Sequence, residues 1–272
     1  GCDLIRNIEI DALEKRGLTV APNHDLTHLQ NVDALLVSAA VKAENVEIQG
    51  ARQQGIPVLT RHDLWRKWST ERQIVAVCGS HGKTTTTGML AYLLTQTGSN
   101  VGYLFGSTIS GLGSGHWGSG PLIIEADEYA RTFLALSPVL SVITNIDPDH
   151  VEFYPTREVY EAAFREFVTN AQSNGGQIIA CGDDPGVQRA LKGLEFISYG
   201  IEQGNAWRAT SIRWSESKLL FTVESHGTAL ADVVLQVPGE HNVLNALGAI
   251  AAAFQLGIEP RAASMALSSF EG

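Results

Sequence analysis

The segment Ile74-Val75-Ala76-Val77-Cys78-Gly79-Ser80-His81-Gly82-Lys83-Thr84 constrains this chain more than any other. Its apolar run predicts a strand buried on both faces, and the residues from about Thr84 to Thr97 predict a helix. A strand that turns through glycines into a helix leaves backbone N–H groups unpaired at the positive end of the helix, which makes an anion site. Gly79 and Gly82 permit torsions that other residues resist and let a phosphate approach the chain. Lys83 supplies a point charge for the outer phosphates of ATP, and the Thr84 hydroxyl can ligate Mg²⁺. The strict phosphate-loop spacing would need glycine at 77, where Val77 stands. The strand–loop–helix context nevertheless predicts ATP binding by Gly79, Ser80, His81, Gly82, Lys83, Thr84 and Thr85.

The rest of the chain reads as α/β. Strands are expected at Leu18–Ala21, Ala34–Val37 and Pro57–Leu59, with helices over Asn7–Arg16 and Glu44–Gln54. These describe part of a Rossmann-like domain, residues 1–72. The polar stretch 69–73 marks its end. A central domain follows, residues 73–272, with a mostly parallel sheet flanked by helices. Its strands are expected at Leu122–Glu125, Val139–Thr144 and Ile178–Cys181, and a helix at Val159–Ala171. Alternating strands between 207 and 237 add a small antiparallel portion, and helices at Asn242–Leu256 and Arg261–Ser269 finish it. The glycine-rich piece 106–120 reads as a loop near the site.

Composition limits what such a chain does. With 44% apolar and 18% charged residues among 272, it buries a core. A formal net charge of −10 repels nucleic acid and anionic membrane, so neither is an expected partner. No apolar run is long enough to span a bilayer. Three cysteines, at 2, 78 and 181, show no metal-ligand spacing and fit a reducing cytoplasm. Nothing in the sequence specifies an oligomeric state.

The run Gly79 to Thr87 resembles the ATP loop of the Mur ligases of bacterial cell-wall synthesis, which use a shorter glycine pattern. Three further blocks agree in order: Glu125-Ala126-Asp127-Glu128-Tyr129, Thr144-Asn145-Ile146-Asp147-Pro148-Asp149-His150, and Pro238-Gly239-Glu240-His241-Asn242-Val243-Leu244-Asn245-Ala246. Ser38-Ala39-Ala40 and Gly55 to Leu59 are similar to the second half of the family's UDP-binding domain. The His-Gly-Lys-Thr-Thr-Thr-Thr form looks like the branch acting on UDP-N-acetylmuramate. The resemblance implies an ATP-dependent amide ligase of peptidoglycan biosynthesis. In that reaction ATP phosphorylates the muramate carboxylate and the amine of L-alanine displaces phosphate.

The same resemblance assigns roles. Lys83 neutralises phosphate charge, Thr84 and Glu125 hold Mg²⁺, and His150 meets a second Mg²⁺ with Asn145 and Asp149 in support. Lys83, Glu125 and His150 are therefore the catalytic candidates. His241, Asn242 and Asn245 cradle the nucleotide. Residue chemistry alone leaves plainer readings open. Thr84 also serves as a helix-start residue, Glu125 as part of a solvated acidic turn, His150 as a core histidine and Asn242 as an N-cap. Mg²⁺ does not prefer imidazole.

Some positions depart from the family pattern. Ala130 stands where this branch often has Asp, and Glu152 replaces a frequent Asp. Phe164 and Arg165 occupy the place of a lysine that some relatives modify with CO₂, and no lysine occurs from Asp147 to Leu191. That favours the branch adding the first amino acid, or the one that re-attaches a recycled tripeptide. Loss of ligase activity from a nucleotide-binding module, or another phosphate-loop NTPase, are the remaining readings. The chain does not start with Met, and its ends suggest a segment lacking the start of the first domain and a third domain. Such a segment is expected to bind nucleotide weakly and to make little product.

Overall fold

The computed structural model describes residues 1–215 and 218–272. They form two compact units, Gly1–Leu64 and Trp65–Gly272. In the first, helix α1 (Ile8–Lys15) is started by Asn7, whose side chain accepts from the Ile10 N–H. Strand β1 (Leu35–Leu36) pairs in parallel with β2 (Val58–Leu59). Helix α2 (Val46–Gln54) makes the crossover between them, capped by Asn45 at one end and by left-handed Gly55 at the other. The strand expected at 18–21 reduces to a single parallel bridge between Cys2 and Ala21.

Helix α3 (Arg61–Glu71) contains the division between the units, and the polar stretch 69–73 lies across its C-terminal end. A sequence signal for this unexpected helix existed. Thr60-Arg61-His62-Asp63 is a capping box, and Asp63 accepts from the Thr60 N–H (2.7 Å) and hydroxyl (2.6 Å).

The second unit begins with β3 (Ile74–Cys78), α4 (Lys83–Gln96), β4 (Gly102–Ile109), β5 (Gly113–His116), β6 (Leu122–Glu125) and β7 (Leu140–Ile143). It continues through α5 (Arg157–Ser173), β8 (Gln177–Cys181), α6 (Pro185–Ala190), β9 (Ile197–Gly200) and β10 (Trp207–Ser215). Then come β11 (Lys218–Ser225), β12 (Thr228–Leu235), α7 (His241–Gln255) and α8 (Pro260–Leu267). The sheet order is β12-β11-β10-β9-β8-β7-β3-β6-β4-β5. Pairing is parallel from β10 through to β4 and antiparallel at both edges. The expected α/β class, parallel centre and antiparallel portion are all present. The glycine-rich piece 106–120 is not an open loop, because β4 and β5 pair as an antiparallel hairpin there.

β3 lies at the centre of this sheet and is wholly buried, which explains its unbroken apolar run. The order fixes where a ligand goes. β6 and β7 flank β3 on opposite sides, so their loops open a crevice at the carboxyl ends of the strands. Helix α4 packs on α7 and α8, and α7 is alanine-rich and buried along most of its length, allowing close approach. Leu93 of α4 is fully buried in this core. Leu93→Ala is expected to cost about 2–5 kcal/mol of stability, read as a lowered midpoint in chemical denaturation.

Candidate functional site

The glycine loop owes its shape to the end of β7. His81 donates its N–H to Asn145 Oδ1 (2.8 Å), and Asn145 Nδ2 returns a bond to the His81 carbonyl (2.9 Å). Thr144 Oγ1 donates to the same carbonyl (2.6 Å). This approach requires glycine at 79. Its φ is +131°, and a Cβ there would meet Thr144 Oγ1 at 2.2 Å. Gly82, with φ +79°, precedes α4, and a Cβ on it would lie 2.5 Å from Asn245 Oδ1. Ser80 is tied down by its hydroxyl, which donates to the Asp147 carbonyl (2.7 Å) and accepts from the Asp147 N–H (2.8 Å).

Lys83, the first residue of α4, turns back over the loop. Its Nζ donates to the carbonyls of Gly79 (2.7 Å) and Ser80 (3.2 Å) and to both carboxylate oxygens of Glu128 (3.0 and 2.9 Å). Glu128 is only 1% exposed. Tyr160 donates to it (3.3 Å), and Tyr154 donates to its carbonyl (2.6 Å). On the next residue, Thr84 Oγ1 donates to Glu125 Oε1 (2.8 Å), while Glu125 Oε2 accepts from the Gly106 N–H (2.8 Å). His150 Nε2 stands 3.8 Å from Glu128 Oε1, and Asp127, Glu128 and His150 bring donor atoms within 4.8 Å of one another.

Asn242 and Asn245 are buried in the first turns of α7. Asn245 Nδ2 donates to Asn242 Oδ1 (2.9 Å), Asn242 Nδ2 donates to the Pro238 carbonyl (2.6 Å), and Asn245 Oδ1 accepts from Thr86 Oγ1 (3.2 Å). The pair thus joins α7 to α4 beside Gly82. His241 sits exposed at the start of α7 and Thr85 lies partly exposed in the first turn of α4. The loop, Lys83, Thr84, Glu125 and His150 therefore meet at the carboxyl ends of β3, β6 and β7, and the asparagines close that end from the α7 side.

Comparison with known proteins gives the family. Residues 1–72 match the model described as Mur ligase family, catalytic domain, and residues 120–253 match the Mur ligase middle domain. The chain belongs to the Mur ligase family. A UDP-N-acetylmuramate–L-alanine ligase of Roseiflexus sp. (strain RS-1) is 42% identical over 297 residues, covering 100% of this chain and 62% of the relative. The enzyme of that name from Chloroflexus aggregans is 39% identical, with 100% and 62% covered. Among solved structures, the UDP-N-acetylmuramate-alanine ligase of Thermotoga maritima superposes with a TM-score of 0.88 at 27% identity, covering 100% of this chain and 62% of that one. The UDP-N-acetylmuramate:L-alanyl-gamma-D-glutamyl-meso-diaminopimelate ligase of Neisseria meningitides gives 0.88 at 26%, with 100% and 90% covered. This Mur ligase chain thus spans about 62% of the length of the first relatives it matches.

Glu128 is the residue whose part the sequence did not assign. It was visible only as one of three acids in a row. Its burial beside Lys83 becomes evident once the 3-10 turn Tyr129–Ala135 folds back. Near its start that turn holds two left-handed residues, Ala130 (φ +51°) and Arg131 (φ +58°), a conformation that Ala adopts less readily than Asp or Asn.

Burial pushes the Glu128 carboxyl above the ordinary glutamate value of 4.5, against the opposing pull of Lys83. A raised value means that the folded chain holds this proton more tightly than the unfolded chain. The stability it contributes is complete below pH 4.5 and is lost as pH rises through the raised value. Glu128→Gln removes that titration. The variant's melting temperature is expected to fall less than the parent's as pH is raised from below 4.5 toward neutral, as followed by circular dichroism.

Proposed function

We propose that this chain is the UDP- and ATP-binding part of an ATP-dependent ligase that joins L-alanine to UDP-N-acetylmuramate in cytoplasmic peptidoglycan synthesis. The observation that carries the chemistry is Lys83, the lysine of the glycine loop, held at 2.9 Å from buried Glu128 with Thr84 and Glu125 beside it. The names of relatives that match along the whole of this chain support the substrates.

The residues at the strand ends fit Mg²⁺. Thr84 Oγ1 and Glu125 Oε1 are hard oxygen donors 2.8 Å apart, and Asp127 and Glu128 add carboxylates next to His150. Thr84 and Glu125 would hold one ion and His150, with those acids, a second, where Mg²⁺ would neutralise charge on the phosphates. Lys83 leaves Glu128 for the β- and γ-phosphates, exchanging one anionic partner for another without becoming an unpaired buried cation. Gly79 and Gly82 keep the loop free of Cβ atoms where phosphate approaches. Asn242, Asn245 and His241 border the nucleotide from α7. We assign the uridine nucleotide end of the muramate substrate to the cavity of about 820 Å³ in the first unit, lined by Cys2, Asp3, Ser38 and Lys42 among others.

The UDP-N-acetylmuramate:L-alanyl-gamma-D-glutamyl-meso-diaminopimelate ligase of Neisseria superposes as closely as the alanine enzyme of Thermotoga, so the tripeptide is set beside L-alanine as the acceptor to test. Phosphate release by the natural protein, assayed with ATP, UDP-N-acetylmuramate and L-Ala, Gly, L-Ser or the tripeptide, separates them. Release is expected to require the muramate nucleotide and to be fastest with L-Ala. Turnover without the muramate nucleotide would indicate a general NTPase, and ATP binding with no release would leave only a nucleotide module. Lys83→Met is expected to weaken ATP about 10–100-fold by calorimetry, the worth of a charge-assisted hydrogen bond.

A further inference from the structure

The first unit gathers three metal-ligating side chains around one carboxylate. Glu47, 3% exposed, accepts from or faces His28 Nδ1 at 2.7 Å, His24 Nδ1 at 2.9 Å and Cys2 Sγ at 3.2 Å. Cys2 Sγ also stands 3.4 Å from His24 Nδ1. The donor atoms of Cys2, His28 and Glu47 lie within 4.8 Å of one another. We propose that Cys2, His24, His28 and Glu47 form a Zn²⁺ site.

The donor chemistry selects the ion. One thiolate, two imidazoles and one carboxylate make a soft-to-borderline set of the kind Zn²⁺ takes, and one that Mg²⁺ and Ca²⁺ do not. Thiolate and carboxylate together carry two negative charges, which balance a divalent ion. Zinc bonds of about 2.0–2.3 Å at tetrahedral angles place ligand atoms about 3.3–3.8 Å apart. The 3.4 Å between Cys2 and His24 falls within that range, whereas the spacings to Glu47 are shorter than it by up to about 0.6 Å, so the ligands move outward from Glu47 to admit the ion.

The local structure presents the ligands independently of any ion. Asn45 caps α2 and accepts from the Glu47 N–H (2.9 Å), fixing Glu47 in the first turn. Asp25 caps the 3-10 turn Leu26–Leu29, which carries His28, while His24 stands just before the cap. The bridge from Cys2 to Ala21 brings the thiol alongside. Both imidazoles are partly exposed, and the 820 Å³ cavity reaches Cys2, His24 and Glu47, so an ion has a way in. No spacing of cysteines announces this set, because the ligands come from three separate segments.

Cobalt(II) titration of the protein tests the site, because a thiolate ligand gives a near-ultraviolet charge-transfer band that oxygen sites such as Asp127–Glu128–His150 do not. Cys78 and Cys181 are buried in the other unit. The band is expected to saturate at one equivalent and to be displaced by Zn²⁺. Cys2→Ser, nearly isosteric, is expected to abolish it. His28→Ala and Glu47→Gln are expected to lower zinc affinity at least ~10-fold, whereas His62→Ala leaves it unchanged, with circular dichroism confirming the fold of each variant. Absence of the band in the parent, or its survival in Cys2→Ser, would overturn the proposal.

Discussion

One asparagine side chain holds the glycine loop. Asn145 grips the His81 peptide from both sides, with its Oδ1 on the N–H and its Nδ2 near the carbonyl. A loop rich in glycine has many conformations to lose, and a bidentate amide contact selects one of them. Once His81 is fixed, Gly82 must adopt its left-handed turn, α4 starts at Lys83, and the ammonium and the Thr84 hydroxyl take divergent directions. One meets Glu128 and the other Glu125. The rest of the site follows from that divergence.

The buried pair of Lys83 and Glu128 is better understood as a holding arrangement than as a source of stability. Desolvating both groups offsets much of their attraction. What the pair achieves is position. The carbonyls of Gly79 and Ser80 and the hydroxyl of Tyr160 complete the polar contacts around it, so the lysine is held over the loop. Preorganised charge of this kind needs little rearrangement when an anion arrives.

Much of this was legible in the sequence because the strands at the centre of the sheet are buried on both faces and read as apolar runs. Ile74–Cys78 and Leu122–Glu125 were placed to the residue. Helix α3 escaped because Arg61–Glu71 is mostly polar, with Leu64, Trp65 and Trp68 its only large apolar residues. The hairpin β4–β5 escaped because glycine has low strand propensity, and here the partner strand rather than the residue type decides. In the site, sequence order located the acids but not their tasks. Glu125 ends a strand and Glu128 immediately precedes a 3-10 turn, and only the left-handed kink at Ala130 and Arg131 shows which acid faces Lys83. The grouping of Cys2 with Glu47 is a long-range contact and left no local pattern to read.

The sheet order also has a consequence for the chain as it is made. β3 emerges from the ribosome before its neighbours β6 and β7, before Asn145 that holds its loop, and before Asn245 against which Gly82 packs. The glycine-loop segment therefore waits as an apolar strand and a loose glycine turn while those partners are made. Contacts of such long sequence separation form slowly and leave surface uncovered meanwhile. The nascent chain is exposed to misassociation over the interval in which residues 84–245 are being synthesised.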